Sequence, residues 1–309
     1  MKQKIAAVVL SVAIATSSIA VSTMSASAAP SELIPKVEMP VVGRSSTGLP
    51  VSALAKVSAR PGGNGINYNN GPVMTSVNGV NTYVIWYGNW TTSKKSIVSD
   101  FFGAVGGSSY YNINTTYFDK SNIKVANRVT FAGETSDAYS VGSSNLSDAN
   151  ILTITSSAIS SGRLPADSNG VYFVLTSSDV TKSGFLTSYC GWHSYANIAS
   201  TNIKYSFVGD PGSNAACAAQ TASSPNGDVG VDAAVSVIAH ELVEAVTDPN
   251  LNAWYDNRGY ENADKCAWKF GTTYTTLNGS KANMKLGARD FLIQQNWLNA
   301  NGGLCTLKF

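Results

Sequence analysis

Apolar and polar positions alternate between two periods along most of this chain. Thr82-Tyr83-Val84-Ile85-Trp86-Tyr87 is rich in β-branched and aromatic residues and predicts a strand. Ile97, Phe101 and Val105 then recur at intervals of four, which predicts a helix over about 94–105. A second strand is expected at 123–131. A helix capped by Ser147 follows, running to about Ile159 ahead of Pro165. Residues 170–176 hold Val171-Tyr172-Phe173-Val174-Leu175, a strand buried on both faces, and 203–208 read as another extended segment. The alternation of strands and helices predicts an α/β (α+β) domain, a mixed sheet packed by helices.

The most heavily loaded element comes next. Over 230–247, Val231, Val235, Ile238, Leu242 and Val246 form a stripe at helical spacing, and Ala233, Val237 and Ala245 widen it. A helix apolar nearly all round belongs in the core, and Pro249 closes it. Into this helix the sequence sets His240, Glu241 and Glu244. Charged groups are seldom fully buried unless paired or bound to a metal. His240 and Glu244, four apart, share one face at about 5–6 Å between Cβ atoms. In an H-E-x-x-H helix that geometry grips zinc, and the intervening Glu acts on the bound water. Here Glu244 replaces the second His, and a carboxylate oxygen also ligates zinc. The helix thus predicts a zincin-like zinc site with His240 and Glu244 as ligands and Glu241 as general base. In the bland alternative, both glutamates pair with Lys or Arg at a helix edge and His240 is hydrogen-bonded in the core.

Further ligands can be named. The only other histidine, His193, lies in Ser188–Tyr195, read as a loop held by a disulfide at Cys190. Glu261 follows Glu244 closely enough for the chain to return to the site, beside Cys266. Asp264 could orient a ligating His from behind, and Asp248 extends the i, i+4 face by one more turn.

The ends and the composition narrow the class. Lys2 and Lys4, an apolar run over 5–19 and the exit Ser25-Ala26-Ser27-Ala28 predict a signal peptide over 1–28. The run is too short and too interrupted for a bilayer span, which needs about 20 apolar residues. Residues 29–70, with five prolines and Gly62-Gly63-Asn64-Gly65, read as a linker or propeptide-like lead, and 71–309 as a single domain. Loss of the leader leaves 19 basic against 19 acidic side chains, a balance without the basic footprint of a nucleic-acid binder. Four cysteines in an exported chain suggest two disulfides. Three connectivities are open, and pairing of sequence neighbours favours Cys190–Cys217 and Cys266–Cys305. A four-cysteine zinc site lacks the close C-x2–4-C spacing it normally has.

Several longer runs resemble one family. Val84-Ile85-Trp86-Tyr87-Gly88-Asn89-Trp90, Gly133-Glu134-Thr135-Ser136-Asp137, Cys190-Gly191-Trp192-His193, the stretch 225–242 and Asn252-Ala253-Trp254-Tyr255 are similar to the phosphate-induced protein 1, or EXORDIUM, family. The resemblance covers about 68–309. It implies an extracellular protein, linked in plants to growth control at the cell wall, with no settled activity to carry over. Plant members resemble the chain at His193, His240, Glu241, Glu244, Glu261 and Asp264, whereas Asp248 departs from their Asn. The expected partners are an extracellular protein or cell-wall component, with the chain a monomer. Three functions are weighed: a zinc metallopeptidase-like hydrolase, a non-catalytic wall or signalling protein on the same scaffold, and a glycosidase. The last fails because two carboxylates on one helix face do not flank a sugar bond. Serine chemistry lacks a G-x-S-x-G elbow.

Overall fold

The computed structural model describes residues 36–42 and 63–309. The expected signal peptide over 1–28 lies outside them. In chain order come β1 (Val37–Pro40), β2 (Asn67–Tyr68), β3 (Val80–Tyr87), α1 (Thr92–Val105), β4 (Val129–Asp137), α2 (Asp148–Ser160), β5 (Gly170–Thr176), β6 (Tyr189–Ile198), β7 (Thr201–Gly209), α3 (Val229–Thr247) and β8 (Trp254–Tyr255). Three two-stranded pairs follow towards the C-terminus. No helix among the described residues is long and apolar enough to cross a membrane.

The main sheet has six strands in the order β1-β6-β7-β5-β3-β4. β4, β3, β5 and β7 run parallel to their neighbours, and β6 and β1 are antiparallel additions. Strands β3 and β5 read as unbroken apolar runs because parallel strands with helices on both faces have no wet side. α1 and α3 contact each other on one face, and α2 packs against β5, β6 and β7. Ser147 caps α2 in a capping box with Asn150, as its place ahead of the apolar run predicts.

Two departures concern the site directly. Ser188–Tyr195 is not a loop: from Tyr189 onward it is a strand paired between β7 and β1. The signal was hidden because its hairpin turn is Ala199-Ser200, both with φ in the left-handed region, rather than the Gly or Asn that announces such a turn. The second departure is β1, which lies inside the stretch read as a lead yet pairs with Gly191, Trp192 and His193 on β6. Four residues with a Pro at the end carry no period of their own; the sheet edge makes them a strand. A smaller shift moves the strand expected at 123–131 to Val129–Asp137.

Candidate metal centre

α3 has 17 of its 19 residues buried, and its middle faces β6. The two elements approach closely because β6 offers Gly191 there. A Cβ at that position would lie 2.6 Å from Val237 Cγ1, 2.9 Å from the Phe207 carbonyl and 3.1 Å from Glu241 Oε1. Two residues on along the strand, on the same face, His193 meets the helix. Beyond α3 the chain turns on Asp248, whose Oδ1 accepts from the main-chain N–H groups of Asn252 (2.5 Å) and Ala253 (2.6 Å). Asp248, weighed as a ligand, spends one oxygen on the turn, while its Oδ2 is buried without a hydrogen-bond partner. The returning segment brings Glu261 and a short 3-10 turn, Asp264–Cys266, to the helix. The disulfides are Cys190–Cys217 and Cys266–Cys305, so each pins a segment that carries site residues.

Six ionisable residues converge in the core. His193, His240, Glu241 and Glu244 have no exposure, Glu261 has 1% and Asp264 6%. His193 Nδ1 lies 3.3 Å from Glu241 Oε2 and 3.6 Å from Glu244 Oε2, while its Nε2 lies 3.6 Å from Glu261 Oε1. His240 Nε2 lies 3.1 Å from Glu244 Oε1 and 3.5 Å from Asp264 Oδ1. Ligand atoms about 2.1 Å from a tetrahedral zinc stand about 3.4 Å from one another, so these separations fit a shared ion. Among the described residues no Lys or Arg forms an ion pair with any of the four carboxylates, so the pairing half of the bland alternative fails, while His240 does have a core partner in Gln294. Seven polar atoms of the cluster, including Nε2 of both histidines and both Glu261 oxygens, have no hydrogen-bond partner among the described residues. Buried polar atoms without such a partner also occur elsewhere in the core, at Tyr110, Tyr111 and Trp192, so it is their concentration among these six residues that marks the cluster.

The electrostatics follow from burial. Removal from water lifts the Glu241 and Glu261 carboxyls well above the ordinary carboxylate range, and Glu244 to about 7, the last helped by Asp264. Burial holds His193 neutral, pushing it down to about 3 with the help of His240. At His240 burial is outweighed by Glu244 and Asp264, and its protonation is favoured. Burial thus favours the neutral form of these carboxyls.

The predicted residues come together, but not as one ligand set. Donors of His193, Glu244 and Glu261 lie within 4.8 Å of one another, and so do those of His240, Glu244 and Asp264. Asp264, expected behind a histidine, faces His240 Nε2 from the front alongside Glu244. The place behind, at His240 Nδ1, belongs to Gln294, which is fully buried. Sequence reading missed Gln294. A Gln in the run Ile293-Gln294-Gln295 carries no motif, and its distance of 54 positions from His240 hides the contact.

The fold and this cluster together define an α/β protein with a buried histidine–carboxylate core. The family model for the phosphate-induced protein 1 conserved region matches residues 66–288. EXORDIUM-like 5 of Arabidopsis thaliana is 32% identical over 281 residues, covering 78% of this chain and 77% of its own. EXORDIUM-like 3 of the same plant is 32% identical over 271 residues, 75% and 80% of the two chains. PHOSPHATE-INDUCED 1 of Nicotiana tabacum is 26% identical over 219 residues, 62% and 67%. The chain belongs to the phosphate-induced protein 1 (EXORDIUM) family. No solved structure matches it.

Proposed function

We propose that this chain is an extracellular EXORDIUM-family protein whose core is held together by zinc bound at the His193, His240, Glu244 and Glu261 cluster, with Asp264 as a further ligand. The observation that carries this reading is the set of seven buried polar atoms without hydrogen-bond partners, aimed at one another from three separate chain segments. A closed shell favours a structural role: structural zinc sites are fully surrounded, whereas catalytic ones keep a position open to water. Export through the leader over 1–28 agrees with two formed disulfides, which persist in oxidising compartments. On this reading the protein acts at the cell surface or wall through its exterior, as a monomer binding an extracellular protein or wall component.

A second reading keeps the zincin-like chemistry, with Glu241 as general base. Glu241 supports it: its Oε1 is unpartnered and its Oε2 lies beside His193. The two readings separate in one set of measurements on the purified mature protein. Stoichiometric zinc that is lost in His240→Ala, with a chelator lowering the melting temperature but casein left uncut, is the expected result. Chelator-sensitive cleavage of casein, abolished by Glu241→Gln, would move the assignment to the hydrolase. Freshly purified protein without metal would refute both.

A further inference from the structure

Glu244 belongs to both groups of donors, and it presents a different oxygen to each. Its Oε1 faces His240 Nε2 at 3.1 Å and its Oε2 faces His193 Nδ1 at 3.6 Å. Each histidine has in addition a carboxylate of its own: Asp264 stands at the same Nε2 of His240, while Glu261 stands at the other ring nitrogen of His193, Nε2, with donors of His193, Glu244 and Glu261 all within 4.8 Å of one another. Glu244 thus stands between the two groups with one oxygen turned to each, a placement that suits a carboxylate bridging two ions.

The surroundings fit the same division. Glu241, Glu244, Glu261 and Asp264 are four carboxylates in the core, and no Lys or Arg among the described residues forms an ion pair with them. The carboxylates thus face the two histidines and one another. The fifth nearby acid, Asp248, accepts two main-chain N–H groups through one oxygen, Oδ1, and keeps its Oδ2 buried. Other donors are also arranged in advance. Gln294 contacts His240 Nδ1, which turns Nε2 toward Glu244 and Asp264, and the Asp264 N–H donates to Glu244 Oε1 at 2.9 Å.

We infer that the centre is dinuclear: two divalent cations of the zinc class, one held by His193 and Glu261, the other by His240 and Asp264, bridged by the Glu244 carboxylate, with Glu241 beside the first. This rests on the metal reading above and goes beyond it in number, bridge and division of ligands. The opposed placement of the histidines, one on β6 and one on α3, then has a function, since the pair of ions ties the sheet to the helix and to the returning segment.

The test is metal counting on the metal-stripped mature protein titrated with zinc, followed by X-ray absorption at the zinc edge. The expected result is two equivalents of zinc per chain and a zinc–zinc vector at about 3.5–4 Å, the spacing of two-metal sites. His240→Ala and His193→Ala should each drop the stoichiometry from two to one and abolish that vector. The absorption measurement needs only the unmutated protein, so it decides even where a variant does not fold. One equivalent, or two without a zinc–zinc vector, overturns the dinuclear assignment and leaves the metal reading standing. Zero equivalents overturns both.

Discussion

Replacing Glu244 by Gln should change stability in opposite directions depending on whether metal is bound. The amide is nearly isosteric with the carboxylate but carries no charge, so the substitution isolates the electrostatics of one buried position. In the metal-free protein the Glu244 carboxyl is pushed from 4.5 to about 7 by burial and by Asp264. At about 1.4 kcal/mol per tenfold change, holding that carboxylate ionised at pH 8 costs the metal-free fold about 3 kcal/mol. That is a large part of the 5–15 kcal/mol by which a domain is stable. Glu244→Gln removes the cost. With about 2–4 °C per kcal/mol for a domain of this size, the metal-free variant should melt about 10 °C above the metal-free parent. With zinc present the sign reverses: the parent gains the binding energy of the ion, and the variant has lost the carboxylate shared by both groups of donors. Thermal unfolding at pH 8, with excess chelator or with excess zinc, for parent and variant gives the four values needed. A variant equally destabilised in both conditions would refute the reasoning, since Glu244 would then act by packing or hydrogen bonding alone.

Two further outcomes follow from the same site. The metal-free protein should lose stability as pH rises through neutrality, near the value of about 7 to which Glu244 is lifted. Burial lifts Glu241 and Glu261, and the facing carboxylates lift His240, so the folded form binds more protons than the unfolded one through this window. The opposite contribution of His193, held at about 3, ends near its unfolded value of 6.5. Zinc-loaded protein should be nearly flat over that range, and a metal-free melting curve that does not fall with pH would contradict the account. Gly191→Ala should cost about 1–3 kcal/mol by overpacking and weaken zinc binding, because its Cβ would press on Val237, the Phe207 carbonyl and Glu241. Gly133→Ala, whose nearest neighbour would be 3.5 Å away, is the control that urea unfolding should find close to neutral.

Much of the scaffold was legible because it depends on local period. The run Val171–Leu175 declares a doubly buried strand, Ser147 declares a helix start, and the stripe through α3 declares a core helix whose His240, Glu241 and Glu244 must find partners or a metal. The misses share a cause. β1 and β6 are strands through their neighbours: a four-residue edge segment, and a stretch of small, polar and aromatic residues closed by an Ala199-Ser200 turn, satisfy their backbone groups only once the sheet exists.

The same division holds at the centre of the molecule. Sequence alone determined which residues are too polar for the core they occupy, since helical spacing and burial are set by neighbours a few positions away. Only the tertiary structure decided how they are shared out. Glu244 turns one oxygen to each histidine, Asp264 stands in front of His240, and Gln294 stands behind it, 54 positions away. Those choices depend on the Gly191 contact that lets α3 approach β6, on the Asp248 turn and on the disulfide at Cys266. Contacts across such separations leave no period in the chain, because loop closure brings residues together without regard to their spacing.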